Sequence, residues 1–269
     1  MEFNFYNKKD SRGIINNIFS LAFTADDLPF EATIIPTTLP ALAYFFGEQQ
    51  TIVHKKNTIP FRGLTIVGQF SSNYEYFVNY EGYNLGINLH PTALYKILGE
   101  NTSVFTNNHI SLENVNIELF KKLNPVFINH EKNVSGFIKA IIEFIDNLEL
   151  IIDKDVVFID KAIAYISEND GMIQMADLLK IIPFSQKSIE TKFKKIIGLT
   201  PGKYIRLIRF TRLMRKYENN EIALNDLIYM YNYHDHSHFI KNFKWFMLKT
   251  PKEYFKKEYP LIKAYSKDL

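Results

Sequence analysis

The chain has 269 residues, 46% of them hydrophobic and none of them cysteine, which suffices for two domains and excludes disulfides, thiolate nucleophiles and cysteine-ligated zinc. It has neither an apolar run of the ~18 residues that span a membrane nor a signal-peptide pattern, so we expect a soluble, cytoplasmic protein with no membrane partner. Residues 1–154 carry 12 Lys and Arg against 16 Asp and Glu, a net charge of −4, whereas residues 155–269 carry 20 against 13, a net charge of +7, which suggests a polyanion-binding module attached to a part with another role.

The first 130 residues contain short apolar runs separated by Asn, Gly, Pro and Ser. Most of these runs are too short for helices and are rich in β-branched and aromatic residues, which predicts a compact β barrel or sandwich. A short helix over 92–99, ended by Gly99, and a helix over 114–127 follow them. The runs are "ATIIP" (32–36), "ALAYFF" (41–46), "TIVHKK" (51–56), "LTIVGQF" (64–70), "YEYFVNYEG" (74–82) and "YNLGINLHP" (83–91).

Residues 131–154 form a predicted helical linker with an apolar stripe. Four of its aliphatic residues recur at steps of 3, 4 and 3, and they are Ile138, Ile141, Ile145 and Leu148. This spacing suits a helix that packs on its own barrel, and it equally suits the seam of a two-helix dimer. We therefore expect a homodimer through this helix, with packing on the barrel as the open alternative.

Residues 155–269 read as all-helical, and a helix over 156–169 ends at Asp170-Gly171. After it, "IQMADLLKII" (173–182) breaks at Pro183, and Ser185 can cap a further helix that Gly198 ends. Thr200-Pro201 then begins a long helix to about residue 217, because proline loses nothing at the first helical position.

The same pattern of residues then occurs a second time in the chain. Leu178-Leu179 matches Leu227-Ile228, and Thr200-Pro201 recurs as Thr250-Pro251. Fifty residues also separate three further pairs, which are Ser185 and Asp235, Ile189 and Phe239, and Phe193 and Phe243. A helix, a tight turn and a capped helix make a helix-turn-helix, whose second helix fits the major groove of B-DNA. Two such units joined by a rigid helix can enter successive major-groove segments about 34 Å apart.

The inward apolar residues of each recognition helix define its outward face. We predict that the outward residues near the start of each helix read base edges, and these are Lys187, Glu190, Thr191, His236, Ser237, Ile240 and Lys241. Lysines at or beyond the helix ends are predicted to contact DNA phosphates, and these are Lys194, Lys195 and Lys244. Trp245 is predicted to lie in the core, or in the seam between the second motif and the last helix, rather than to stack on bases.

Residues 156–258 resemble the two-motif DNA-binding domain of AraC/XylS-type transcriptional regulators. The matching residues of the first motif and linker helix are Ser185, Phe193, Lys194, Gly198, Pro201, Tyr204 and Arg209. Those of the second motif are Asp235, Ser237, Phe239, Phe243, Lys244, Thr250 and Pro251. The resemblance implies sequence-specific binding of double-stranded DNA and a structural role for Arg209. It also implies an α+β chain, in which a β-barrel or jelly-roll-like sensor domain (1–130) with a possible small-molecule effector precedes the linker (131–154) and the tandem helix-turn-helix domain (155–269).

The chain departs from the family pattern at four positions. The family has a small residue in the first helix of each motif, where this chain has Leu179 and Ile228. It has glycine in each turn, where this chain has Pro183 and Asn232. Asparagine adopts the left-handed conformation at modest cost and proline does not, so the tilt of the first recognition helix is the more affected.

Other chemistry is poorly represented in the sequence. In "HDHSH" (234–238) the predicted cap Asp235 places His234 before the helix, so the two outer histidines do not share a face. No nucleophile–base motif or phosphate-binding glycine loop is present, and we expect no catalytic residue, no metal and no cofactor. Two alternatives stay open, a sensor or interaction protein with a decayed helix-turn-helix and a cupin-like enzyme fused to a helical tail. The remaining histidines of the first half are scattered, and they are His54, His90, His109 and His130.

Overall fold

The computed structural model of the protein describes residues 1–219, 224–233 and 235–256. An antiparallel sheet forms the first part of the chain and helices form the rest, as the sequence predicts. Among the described residues, no helix is both long and apolar enough to cross a membrane.

Eight strands build one antiparallel sheet in the order β1-β2-β7-β4-β5-β8, with β6 pairing both β3 and β4. The strands are β1 (Glu2–Tyr6), β2 (Ile15–Phe23), β3 (Phe30–Ile34), β4 (Ala41–His54), β5 (Asn57–Val67), β6 (Tyr74–Val78), β7 (Gly82–Leu89) and β8 (His109–Ser111). We call this sheet the barrel.

The longest strand, β4, curls the barrel. The sequence predicted two separate runs at 41–46 and 51–56, and the structure joins them in one 14-residue strand. Gly47 adopts a φ of 84° in the middle of β4, where the register with β5 shifts. The part of β4 before this bulge pairs with β7 and the part after it pairs with β6. A bulge bends a strand in this way because it adds residues to one side of the ladder.

Alternation along the strands buries both faces of the barrel. The inner face gathers an aromatic cluster that includes Phe19, Phe45, Phe61 and Tyr76. The outer face carries aliphatic residues such as Leu42, Ile66, Leu85 and Ile87, which pack under helices. These helices are α1 (Ala93–Leu98), α2 (Leu112–Val115), α3 (Ile117–Ile128) and α4 (Val134–Asp146).

The apolar stripe of the predicted linker lies on α4. Ile141 and Ile145 are fully buried, and they belong to the same core as the outer face of the barrel. Ile138 and Leu148, the other two members of the stripe, are half-buried against that core. Between the two interpretations that the spacing allowed, these contacts are those of a helix packed on its own barrel.

The C-terminal part contains seven helices among the described residues, and they share one apolar core. They are α5 (Lys154–Glu168), α6 (Met175–Ile181), α7 (Gln186–Ile197), α8 (Pro201–Glu218), α9 (Leu224–Met230), α10 (His236–Met247) and α11 (Pro251–Tyr254). Ser185 caps α7 by accepting a hydrogen bond from the Ser188 amide, and Asp235 caps α10 by accepting one from the His238 amide. Both caps are as the sequence predicts.

The two recognition helices end in the same left-handed turn with different residues. Gly198 ends α7 at a φ of 86°, and Leu248 ends α10 at a φ of 51°. Fifty residues separate them, so they occupy the same position of the repeat. A left-handed conformation costs a residue with a Cβ about 1–2 kcal/mol, whereas glycine adopts it freely. The second motif therefore contains local strain that the first motif avoids.

We predict that Leu248→Gly raises the free energy of unfolding by about 1 kcal/mol, because it removes this strain. The Leu248 side chain is 46% exposed, so the lost burial is small. Thermal unfolding followed by circular dichroism measures the change. Gly198→Ala is the matched control and lowers the melting temperature, since its Cβ would lie 2.5 Å from Thr106 Oγ1. A Leu248→Gly variant that melts below the unmodified protein contradicts the prediction.

Candidate nucleic-acid interface

Two helix-turn-helix motifs are formed by α6 and α7 and by α9 and α10. In the first turn, Ile182 is extended before Pro183, as expected because proline disfavours a helical residue ahead of it. In the second turn, Asn232 adopts a φ of 54° and the Tyr233 amide donates to the Ile228 carbonyl at 3.1 Å. Both turns thus connect the two helices of a motif, but they do so with different backbone conformations.

The larger residues that replace the family's small ones fit into the core. Ile228 is buried in the second motif. Leu179 is half-buried at the edge of the same core in the first motif. Neither residue prevents the following helix from forming, since both α7 and α10 run for 12 residues.

The residues predicted to read bases all lie on exposed faces of the two recognition helices. On α7 these are Lys187, Glu190 and Thr191, and on α10 they are His236, Ser237, Ile240 and Lys241. Six of them form three matching pairs in the repeat, since 187, 190 and 191 correspond to 237, 240 and 241. His234 lies outside the described residues.

Two contacts stiffen the outer face of α7. The Thr191 hydroxyl donates to the Lys187 carbonyl at 3.0 Å, and the Gln186 amide donates to the Glu190 carboxylate at 3.1 Å. Both join residues four positions apart, as neighbours on a helix face should be. These bonds hold the side chains of Thr191 and Gln186 in place on the exposed face that also carries Lys187.

The three lysines predicted to bind phosphate differ in their surroundings. Lys194 and Lys244 are exposed at matching positions of the repeat. Lys195 points its ammonium group at the ring of Tyr95 on α1, 5.2 Å from the centroid. In this arrangement Lys195 faces the N-terminal part of the chain, and its location does not support a phosphate contact.

The prediction that Trp245 lies in the core or in a seam with the last helix is wrong. Its ring is 49% exposed and lies against α8 instead. The Lys203 ammonium nitrogen and the Arg206 guanidinium carbon lie 5.9 and 5.6 Å from the ring centroid. A tryptophan face attracts cations, so the three side chains form a basic, aromatic edge beside α10. Neither cation was predicted to contribute to this face, although both lie in the first two turns after Thr200-Pro201.

Arg209 connects the long helix α8 to the end of α5. Its Nε and one terminal nitrogen both donate to the Gly171 carbonyl oxygen, at 2.9 and 2.8 Å. The side chain is half-buried, and burial lowers the pKa of its guanidinium. These bonds hold the segment just before the first motif against α8. They support the structural role expected of Arg209.

Three histidines of the N-terminal part of the chain have separate partners. His54 Nε2 lies 2.9 Å from the Ser72 hydroxyl, His90 Nδ1 lies 2.9 Å from the Thr92 hydroxyl and His130 Nδ1 lies 2.8 Å from the Val126 carbonyl. No group of three His, Cys, Asp or Glu side chains within the described parts of the chain is arranged to hold a metal ion.

The aromatic inner face of the barrel lines a partly open cavity of about 80 Å³. No charged side chain of the described residues lines it, and its polar groups include Asn84, Asn88, Tyr76 and His109. Burial lowers the pKa of His109 to about 3, so its ring is neutral at physiological pH. Its Nδ1 atom has no hydrogen-bond partner among the described residues.

Comparison with known proteins gives two matches to family profiles. Residues 178–257 match a family described as "Helix-turn-helix domain", and residues 12–111 match "Domain of unknown function (DUF6597)". No curated protein matches the chain significantly.

Solved structures of ToxT from Vibrio cholerae resemble the whole chain. ToxT from strain O395 is 11% identical with a TM-score of 0.48, covering 94% of this chain and 97% of that one. ToxT from the same strain bound to (E)-4-(8-methylnaphthalen-1-yl)but-3-enoic acid is 12% identical with a TM-score of 0.49, covering 95% and 99%.

The profile match, the two capped motifs and the residues that resemble the regulator family all fall on the same helices, α6 to α11. The C-terminal part of the chain therefore carries a helix-turn-helix domain, the kind of domain with which DNA-binding transcriptional regulators bind DNA, and its residues resemble those of the AraC/XylS type.

Proposed function

We propose that this regulator binds a specific double-stranded DNA site with both recognition helices at once. The observation that carries the proposal is the matched exposure of α7 and α10. Positions 187, 191 and 194 on α7 and positions 237, 241 and 244 on α10 are all exposed and polar. Each of these faces carries two lysines, Lys187 and Lys194 on α7 and Lys241 and Lys244 on α10, and this basic character in both copies supports DNA binding over the interaction-protein alternative.

The barrel cavity is the proposed effector site. Its wall is largely apolar, and its polar groups are amides, a phenol and a neutral imidazole. A charged ligand would lose its hydration there without gaining a counter-ion. The ligand class that fits is a small, uncharged, mainly apolar molecule with one or two hydrogen-bonding groups, one of which pairs with His109 Nδ1.

Binding to DNA does not require a catalytic residue, so the proposal includes no enzymatic activity. The scattered histidines of the barrel and their separate partners do not favour the cupin-like enzyme. The protein works in the compartment that holds its DNA, which agrees with the expected cytoplasmic location.

Base recognition by Lys187 and Lys241 can be tested by substitution. Lys187→Ala and Lys241→Ala each relax sequence preference in a different half of the site, because a good contact to a base edge contributes about 1–3 kcal/mol of discrimination. Selection of bound duplexes from random DNA measures the preference. Lys161→Ala, which removes an exposed lysine of α5, serves as the control and leaves the selected sequence unchanged. If the unmodified protein and all three variants select the same sequences, Lys187 and Lys241 do not read bases.

The second prediction concerns phosphate contacts. Lys194→Ala and Lys244→Ala each weaken binding to all sequences alike and lower the slope of log affinity against log salt by about one unit. Lys195→Ala is the matched control, because it removes the neighbouring lysine that faces Tyr95, and its slope stays that of the unmodified protein. A slope that falls only in the Lys195→Ala variant reverses the assignment.

The third prediction concerns assembly, since a dimer places two DNA-binding domains at high effective concentration. The proposed homodimer uses the half-buried flank of α4 at Ile138, not the core residues Ile141 and Ile145. We expect Ile138→Glu to give monomers that stay folded, and Ile141→Glu to unfold because it buries an unpaired charge. Sedimentation of the full chain at tens of micromolar gives the result. An unmodified protein that sediments as a monomer ends the dimer proposal.

A further inference from the structure

Three side chains at the surface of the helical part lie outside the two base-reading faces. They are Lys203 and Arg206, in the first two turns of α8, and Trp245, near the end of α10, and we call them the basic edge. The Lys203 ammonium nitrogen and the Arg206 guanidinium carbon lie 5.9 and 5.6 Å from the centroid of the Trp245 ring. One exposed ring thus carries two cations.

The basic edge bridges the two motifs. Its cations belong to α8, which begins four residues after α7 ends. Tyr204, between them in the chain, packs its ring 5.4 Å from the ring of Phe193 on α7. The ring of the edge comes from α10. The three side chains therefore cross the surface from the helix that packs on one recognition helix to the other recognition helix.

The basic edge also continues the exposed face of α10. Trp245 follows Lys241 by four residues, so the two side chains are neighbours on one face of the helix. The matching position of the first motif carries Lys195, which faces Tyr95 of α1 instead. The second motif therefore presents to solvent a position that the first motif directs toward the N-terminal part of the chain.

The positive charges of the basic edge are not neutralised by the protein. Within the described parts of the chain, neither Lys203 nor Arg206 forms an ion pair with a carboxylate. Arg212, further along α8, lies 3.4 Å from Asp170, and Lys192 of α7 pairs with Asp155. An aromatic face attracts a cation but leaves its charge in place. The edge therefore keeps two charges available for an anionic partner.

Arg206 is also held in an orientation that suits phosphate. Its Nε donates to the Gly202 carbonyl at 3.2 Å, and its guanidinium group lies over the Trp245 ring. These contacts leave the two terminal nitrogens as donors, and the planar guanidinium fork matches the oxygens of a phosphate group. Because the side chain is already ordered, less conformational freedom is lost when a partner binds.

The DNA between the two predicted contact regions offers such a partner. We call the base pairs that one recognition helix contacts a half-site, and the stretch between two half-sites the spacer. Two helices in successive major-groove segments, about 34 Å apart, leave the sugar-phosphate backbone of the spacer against the protein surface between them. This backbone carries one negative charge per about 1.7 Å of helix axis.

We propose that the basic edge binds the DNA backbone of the spacer. Lys203 and Arg206 contact its phosphates, and Trp245 is a positioning residue that holds both cations. Backbone contacts fix the register of a protein on the duplex without reading bases, so the edge sets the placement of the two half-sites and not their sequence. The inference rests on the proposed DNA-binding function, and it adds a third contact between the two recognition helices.

A cycle of protein and DNA changes tests the contact in the full chain. The unmodified protein first selects a duplex from random DNA. That duplex is then made with neutral methylphosphonates in place of the spacer phosphates, and a control duplex carries them outside the half-sites. The edge variant combines Lys203→Met and Arg206→Met. Its matched control combines Lys139→Met and Lys161→Met, which remove two exposed charges from α4 and α5.

We expect the neutral spacer to raise the dissociation constant at least about fivefold for the unmodified protein and the matched control. The edge variant binds the unaltered duplex at least about fivefold more weakly, and its slope of log affinity against log salt is lower by about two units. The neutral spacer changes its dissociation constant less than about twofold, because the contact is already absent. Its selected sequence stays that of the unmodified protein.

The role of Trp245 is tested in the same cycle. Trp245→Phe keeps an aromatic face for the cations, so we expect its sensitivity to the neutral spacer to remain within about twofold of that of the unmodified protein. Trp245→Leu removes this face and lowers the sensitivity at least about twofold. A side chain with a merely structural role would change the melting temperature and leave the sensitivity to the spacer unaltered, and that result contradicts the positioning role.

Equal sensitivity of the edge variant and the unmodified protein to the neutral spacer would overturn the proposal. So would an edge variant with unchanged affinity and salt slope, which is the result expected if the edge binds another protein. If the double variant does not fold, Lys203→Gln and Arg206→Gln are measured singly, and each must lower the slope by about one unit. A chain that selects no duplex refutes the proposed function itself, whereas a selected duplex with an insensitive spacer refutes the contact by the basic edge alone.

Discussion

The packing of both recognition helices on the single helix α8 is the constraint on which the DNA-binding part depends. Tyr204 near the start of α8 lies 5.4 Å, ring to ring, from Phe193 of α7. Further along the same helix, Phe210 lies 5.7 Å from Phe243 and 4.7 Å from Phe246 of α10. All these rings are buried, and aromatic pairs at such distances stabilise beyond the area that they bury. The outward faces of the two motifs are therefore set by one shared core.

The two motifs carry different residues at equivalent positions. These residues contact different parts of the protein. Position 195 carries a lysine that faces the barrel, and position 245 carries a tryptophan that faces two cations of α8. Position 198 carries the glycine that a left-handed turn favours, and position 248 carries a strained leucine. The first motif is thus the more closely fitted to the barrel, while the second presents the larger exposed aromatic and basic edge.

The barrel contributes fixed anchors to a helical domain of opposite net charge. Lys96 of α1 forms an ion pair with Asp160 of α5 at 2.8 Å, and the Thr92 hydroxyl donates to the same carboxylate at 2.6 Å. These bonds join α1, which packs on the barrel, to α5. Together with the bonds from the Thr102 and Thr106 hydroxyls to the carbonyls of Lys195 and Gly198, they help to position the exposed faces of the recognition helices.

The sequence by itself determined the tandem motif, because caps, turn residues and the 3.6-residue period are local properties that Ser185, Asp235 and the paired Thr-Pro steps express within one helix turn. It also predicted which side chains of α7 and α10 face outward, since Phe193 and Phe243 fix the inward side. Only the tertiary structure decided which residues contact the sides of α4, α7 and α10. The stripe of α4 suited two partners equally, and Lys195 and Trp245 contact residues from other parts of the chain. The hydroxyl of Thr102 likewise donates to the Lys195 carbonyl, 93 residues further along the chain. Such contacts depend on how folded elements meet, and no periodicity in the sequence records them.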